Sequence, residues 1–422
     1  MKRIVRYRRS TIFIFLIVAC IFLLTECISN DGDKAATESA KEIAANPDYF
    51  QLYAGSEKCA SCHKNIYKDN VHTAHYLTTR PALEKYIKGS FDSGNNAFVY
   101  DPDVTMKMEK RDSGLFQVLY YKGIERKTLR FDIVIGSGAK GQSFMSWNNN
   151  RLTQLPITYF TAPNQWANSP GFPSKVLINR PITSRCLECH STYVYKTSAP
   201  DSDPEEFDHK QIIYGVDCEK CHGPGAKHVE FQTQNPKDTT GKFIINPARL
   251  SRIQNLELCA LCHGGRMQKT KPSFTFTAGD RLSDYFMNDS VSSNAVSDGY
   301  VDVHGNQYGM LKASKCFRMS ATLTCTSCHN PHENERGKIA LFSQRCISCH
   351  KDVHDHFTKI NNTPVLAINK NCIDCHMPAQ PSRAITLLLP GSQMPTAALI
   401  RTHFIAIYPS GTKNFIDRKN KP

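Results

Sequence analysis

A period-2 pattern marks the first half of the chain, where Leu129, Phe131, Ile133 and Ile135 alternate with Arg130, Asp132 and Val134. Alternation turns one apolar face to a core and predicts a strand. Val104 to Lys110 and Leu115 to Tyr121, joined by Asp112-Ser113-Gly114, predict a hairpin closed by a Gly-containing turn. Arg151 to Phe160 predicts a further strand, so residues 91 to 162 read as a small β-rich insertion without Cys or His. Beyond Cys186 the pattern changes to short helical runs broken by loops such as Gly223-Pro224-Gly225, and residues 264 to 324 read as mixed loop and short strand.

The N-terminus has its own pattern. Residues 1 to 10 carry five positive charges, and Ile12 to Leu24 is an unbroken apolar run of 13. A basic segment before a short apolar one describes an export signal, and 13 residues fall short of the roughly 20 that span a membrane. Residues 1–26 therefore read as a signal peptide, with Cys20 after Ile17-Val18-Ala19 and Cys27 after Glu26 as alternative lipidation sites. The expectation is an exported protein, periplasmic or at the cell surface, held at a membrane by a lipid anchor or its N-terminal segment.

Composition sharpens this picture through cysteine. The chain has 422 residues with 17 Cys and 16 His, a net charge of +14 and a mean hydropathy of −0.41. Those values exclude a polytopic membrane protein and a disordered chain. Fourteen of the cysteines form seven C-x-x-C-H motifs: Cys59-Cys62-His63, Cys186-Cys189-His190, Cys218-Cys221-His222, Cys259-Cys262-His263, Cys325-Cys328-His329, Cys346-Cys349-His350 and Cys372-Cys375-His376. Two thiols about one helical turn apart can add to the two vinyl groups of one haem, and the adjacent His reaches its iron as proximal ligand. Zinc ribbons, redox dithiols and disulfides need no His after the second Cys. The cofactor expectation is seven covalently bound haem c. Their fourteen propionates also account for the basic balance: loss of residues 1–26 removes five basic residues and Glu26, leaving +10. A nucleic-acid partner is not expected.

Nine His remain for the second axial position. His75, His228, His332, His354 and His403 are the preferred distal candidates, His209 and His304 follow, and His72 and His356 stand beside rivals as spares. Met377 adjoins its own proximal His and Met394 lies farther on, so Met ligation is disfavoured. Cys316 is left without a motif and reads as a small buried hydrophobe.

First cysteines of successive motifs lie 127, 32, 41, 66, 21 and 26 residues apart, which excludes a tandem repeat. The predicted fold is a mainly α, loop-rich multihaem cytochrome c domain with a small β-rich insertion. Its segments are a first haem module at 27–90, the insertion at 91–162, modules two to four at 163–270, a haem-free connector at 271–324, and modules five to seven with the tail at 325–422.

Tyr53 to His75 (YAGSEKCASCHKNIYKDNVHTAH) resembles the opening of multihaem cytochromes c related to hydroxylamine oxidoreductase and its tetrahaem electron acceptor. IGSGAKGQSF with QLPITYF, GVDCEKCHGPGAKH, LTCTSCHNPH and CIDCHMP are similar to stretches of that family, together covering about residues 53 to 403. The resemblance implies haems stacked in pairs, mostly bis-His ligation, a helical loop-rich haem domain, and His75, His228 and His332 as distal ligands to haems other than the nearest in sequence. It departs from the catalytic branches: all seven motifs end in His, none in the Lys that usually marks the nitrite-reducing iron. Seven motifs also fall short of the eight haems of the hydroxylamine-oxidising branch, and no Tyr matches its cross-link. The expected function is electron transfer between a membrane donor of quinol-oxidase type, or other cytochromes, and a periplasmic or surface acceptor. The alternative is an oxidoreductase acting on a small nitrogen or sulfur species at one five-coordinate haem.

Overall fold

The computed structural model describes residues 47–287, 302–351, 370–392 and 394–409. The apolar N-terminal run with Cys20 and Cys27, and the candidates His354 and His356, lie outside the described residues.

The alternating half of the chain folds as two antiparallel sheets. β1 (Thr79–Pro81) precedes a meander of β2 (Ala97–Asp101), β3 (Val104–Arg111), β4 (Gly114–Tyr121) and β5 (Ile124–Arg130), paired in that order. Arg111 stands opposite Gly114 across the turn. The second sheet contains β1, β6 (Ile133–Ile135), β7 (Gly141–Asn148), β8 (Arg151–Gln154), β9 (Ile157–Phe160), β10 (Gln165–Asn168) and β11 (Arg180–Pro181). The period-2 run at 129–135 is thus divided between the sheets. Phe131 donates its N–H to Leu115 on β4, and the next residue, Asp132, donates its own to Met145 on β7. The stretch 151–160 also splits, at Leu155-Pro156, because proline has no ladder donor.

Between the sheets lies an aromatic core. Phe98, Met106, Met108, Phe144, Leu155, Ile157 and Trp166 are buried, and Phe131 meets Phe144 edge-on with ring centroids 4.6 Å apart. The Trp166 indole donates to the Ser90 carbonyl at 2.8 Å, so its polar edge is satisfied. Gly89 lets the ring approach: a Cβ there would lie 2.2 Å from it.

The motif-bearing region consists of short helices: α1 (Ser56–Ala60), α2 (Lys64–Asn70), α3 (Ser184–His190), α4 (Cys218–His222), α5 (Ala226–Gln234), α6 (Arg252–His263), α7 (Gln307–Ala313), α8 (Lys315–Met319), α9 (Ile339–Ile347) and α10 (Cys372–His376). Even here strands intervene. α3 runs straight into β12 (Ser191–Lys196), which pairs with β13 (Phe207–Tyr214), and α10 is followed by β14 (Ala379–Leu387) paired with β15 (Thr396–Arg401).

The expectation of a mainly α fold is therefore corrected. Among the described residues, fifteen strands in four antiparallel sheets stand against ten α-helices of five to twelve residues. A C-x-x-C-H motif needs only one or two helical turns, so the motifs do not enforce long helices. The β structure runs well past 91–162, from Thr79 to Pro181, and recurs beside two motifs.

Candidate haem sites

Six motifs begin on a helix and the fifth on the 3-10 turn Cys325–Ser327. One turn places both thiols of a motif on the same side. Each is held by charged groups from elsewhere in the chain. Glu219, inside the third motif, accepts N–H bonds from Ala54, Gly55 and Gly225 at 2.7–2.9 Å, tying the approach to the first motif onto the third. Glu188, fully buried inside the second motif, accepts from Lys269 at 2.7 Å, Arg185 at 2.8 Å and the Phe274 N–H at 2.8 Å. Burial alone would raise its pKa, but the Lys269, Lys220 and Arg185 charges outweigh that and hold it below the usual carboxylate range. Arg345, just before the sixth motif, donates to the Cys328 carbonyl of the fifth at 2.6 Å and pairs with Glu335. Arg401 on β15 donates to the Ile373 and Met377 carbonyls at 2.9 and 2.8 Å and to Asp374 at 2.7 Å, closing the seventh motif's helix.

The motifs also meet one another. The thiols of Cys59 and Cys218 lie near enough to shift each other's titration, as do those of Cys189 and Cys262, Cys259 and Cys325, and Cys346 and Cys372. The first motif is therefore beside the third, the second beside the fourth, the fourth beside the fifth and the sixth beside the seventh. Cys316, on α8, is half-buried rather than buried, and burial, with Cys349 nearby, pushes its thiol pKa up.

Three imidazole pairs stand out. His75 faces His263 with ring centroids 6.2 Å apart, His332 faces His222 at 6.0 Å, and His403 faces His329 at 6.2 Å. A metal–imidazole bond of about 2.0 Å and a nitrogen-to-centroid distance of roughly 1.1 Å would put two imidazoles sharing one iron about 6.2 Å apart. Each pair joins a motif His to a non-motif His far away in sequence. Burial, which disfavours the charged ring, pushes the pKa of His75 and His403 down to about 4, so both offer a neutral lone pair at neutral pH.

Tautomers agree with iron ligation at several rings. A carbonyl oxygen can only accept, so a ring bonded to one through Nδ1 carries its proton there and keeps the Nε2 lone pair. His222 donates this way to Ile245 at 2.8 Å, His376 to Ala406 at 2.9 Å and His228 to Lys242 at 2.8 Å. His263 bonds the Gln307 side chain at 3.1 Å and His190 the Thr78 hydroxyl at 3.0 Å, both through Nδ1.

The remaining candidates are placed otherwise. His209 donates through Nε2 to Asn149 at 2.8 Å and stacks on Trp147 at 3.7 Å, so its proton sits on the wrong nitrogen and its face is covered. The expectation for His209 is corrected: it fastens β13 to the β7–β8 turn. His304 is exposed beside Asp302, near enough to His190 to lower that ring's pKa, and His72 is exposed at the end of α2. Met394 is 75% exposed.

These residues fit a haem better than a bare ion. Among the described residues no cluster of three or more His, Cys, Asp or Glu could hold a metal alone, whereas a haem iron takes only two protein ligands. Sequence reasoning named the imidazoles but missed the charged groups that hold the motifs; Glu188 and Glu219, lying inside C-x-x-C where a solvated residue would serve, were the available signal.

A family model described as cytochrome c554 and c-prime matches residues 172–223, spanning the second and third motifs. No curated protein matches the chain. The fold is similar to the crystal structure of the outer cell wall cytochrome OcwA, with a TM-score of 0.51 and 16% identity over 86% of this chain and 81% of that one. Together with the motifs, these similarities support a multihaem c-type cytochrome with covalently bound haem. No helix among the described residues is long and apolar enough to cross a membrane.

Proposed function

We propose that this chain is an exported heptahaem c-type cytochrome that conducts electrons along closely spaced bis-His haems, between a membrane donor and an acceptor outside the cytoplasm. The observation that carries this reading is the set of three imidazole pairs at 6.0–6.2 Å. His263 with His75, His222 with His332, and His329 with His403 would hold the irons of the fourth, third and fifth motifs. Haem iron supplies one-electron exchange when bound. The protein's part would be to hold each of these irons by two imidazoles, a ligand set suited to one-electron exchange, and to bring neighbouring motifs together at the cysteine pairs described above. His228, with its Nε2 lone pair free, and His304, near His190, are the distal ligands left for other irons. The Ala54 and Gly55 N–H bonds to Glu219 and the Arg345–Cys328 bond fix the first motif to the third and the fifth to the sixth, extending the path in both directions. Export accords with haem attachment, with the basic and apolar N-terminus, and with the outer-cell-wall location in the name of its structural neighbour.

Electron paramagnetic resonance of the oxidised, fully matured protein tests this. The spectrum should be dominated by low-spin iron, and His75→Ala, His332→Ala and His403→Ala should each convert one haem to high spin while a pyridine haemochrome assay still counts seven. A native high-spin signal that shifts with cyanide, nitrite or hydroxylamine would replace the pure carrier by an enzyme with one open haem.

A further inference from the structure

Arg80 is a buried cation without a counter-ion of its own. Only 9% of its surface is exposed, and its Nε and Nη2 have no hydrogen-bond partner. Its guanidinium lies flat on the Tyr76 ring, 3.2 Å from the centroid. Tyr76, Asp217, Tyr86 and Tyr67 are the ionisable groups around it. Asp217, the one carboxylate in that set, makes no ion pair with it: its Oδ1 accepts from the Cys218 N–H at 2.8 Å and from Asn70 at 3.2 Å, and its charge reaches Arg80 only from beyond contact distance. A buried charge is strongly destabilising unless an opposite charge meets it, so this guanidinium requires an anion that the polypeptide does not supply.

The position of Arg80 identifies the anion. Two residues earlier Thr78 bonds His190 of the second motif, and five residues earlier His75 faces His263 of the fourth. On the other side Gly215, at φ +75°, leads into the third motif, and a Cβ there would lie 2.2 Å from the Tyr76 carbonyl and 3.3 Å from Arg80 Nη2. Arg80 therefore stands where three haem-attachment motifs converge. Thr78 engages His190 through Nδ1, which leaves the Nε2 of that ring available to hold an iron. The anions a c-type haem brings to such a place are its two propionates.

We infer that Arg80 is the receptor for a haem propionate carboxylate, from a haem of the second, third or fourth motif, and that it sets that haem's potential. The inference rests on the haem reading of the motifs. The planar fork suits a carboxylate in bidentate fashion, and its fixed positive charge favours the reduced haem and keeps the propionate ionised.

The test is spectroelectrochemical titration of the matured full-length protein and its Arg80→Gln variant between pH 5 and 9, with haem counted in both. Expected is an unchanged count and one component of the titration moved to lower potential and made newly pH-dependent, the others unmoved. Should Arg80→Gln fail to mature, Arg80→Lys keeps the charge but loses the fork, and its resonance Raman propionate bending band should shift. Unmoved midpoints in a fully loaded Arg80→Gln protein, or an unshifted band in Arg80→Lys, would overturn the inference. So would binding of added nitrite or sulfite that Arg80→Gln abolishes while the midpoints stay put, since the receptor would then serve a free anion. A wild-type count of five or fewer haems would instead sink the heptahaem reading, so the two failures are distinguishable.

Discussion

The sheets of residues 79–181 and the motif-bearing segments past residue 302 are stabilised by different means. The sheet region has a continuous aromatic and aliphatic interior in which Phe98, Met106, Phe144 and Trp166 interlock, with long ladders of backbone hydrogen bonds. Among the described residues past 302 the buried hydrophobic ones are few: Val303, Met310, Phe317, Cys372 and Ile373, with Leu387 and Ala398 packed on Phe160 and Ala167 of the sheet region. Single charged side chains reach across the chain there, as Arg345 and Arg401 do, and the haems for which the cysteines are spaced would supply the rest of an interior. One region carries its own core; the other borrows one.

The largest expected effect breaks this comparison directly. In protein produced without haem attachment, hydrogen exchange at 97–168 should stay slow, while amides of 302–351 and 370–409 should exchange near the unstructured rate. Uniform protection, or uniform loss, would show that the two regions do not differ in what stabilises them.

Within the sheet region, Phe144→Ala should cost about 3–5 kcal/mol in urea unfolding, the usual loss when a fully buried aromatic becomes a cavity. Haem content should be unchanged. Loss of several haems would mean that the sheet core also shapes the haem sites.

The same division explains what could be read from the sequence. The hairpin of Val104–Arg111 and Gly114–Tyr121 was legible because alternation and turn chemistry are local. The motif helices were legible for a similar reason, since a thiol pair and its His lie within five residues. What escaped was non-local or weakly patterned. β13 reads FDHKQIIY with charged residues at its start, and β14 contains Pro381, so neither shows a clean period of two. Ser191–Lys196, rich in Thr, Val and Tyr, did carry a strand signal, but it follows directly on a motif helix. Distal candidates could be named from their number; which one faces which motif could not, because His75 and His263 meet only through the folded chain. His209 looked like any other surplus His until its Nε2 and ring face proved to be taken.

An intermediate effect belongs to Glu188→Gln, which removes the charge that Lys269 and Arg185 face and should cost about 2–4 kcal/mol at pH 7. Its sign with pH follows from the depressed carboxylate. The contribution is fully present above the unfolded carboxylate pKa of about 4.3, and is lost as pH falls through the lower folded value. Burial also holds Lys269 below the usual lysine range, although the Glu188 charge acts to raise it. Unfolding curves of wild type and variant should therefore converge in strong acid. A gap that persists there would mean that the variant loses packing and not charge.

The smallest effect is expected for an ion pair of similar length in the other region. Lys110 meets Glu84 at 2.6 Å, close to the 2.7 Å between Lys269 and Glu188, but both side chains are about three-fifths exposed. Water screens such a pair and two long side chains lose freedom to form it, so Lys110→Ala should change stability by less than about 0.5 kcal/mol. The sheet beneath is already fixed by its interior, and nothing in it depends on that contact. Near Glu188 the carboxylate has no water to turn to, and the segment it fastens carries a haem motif. Distance is nearly equal in the two pairs; exposure, and what else holds the neighbouring backbone, decides their worth. A loss above 1 kcal/mol for Lys110→Ala would contradict that account and show that the meander, too, relies on charged contacts at its surface.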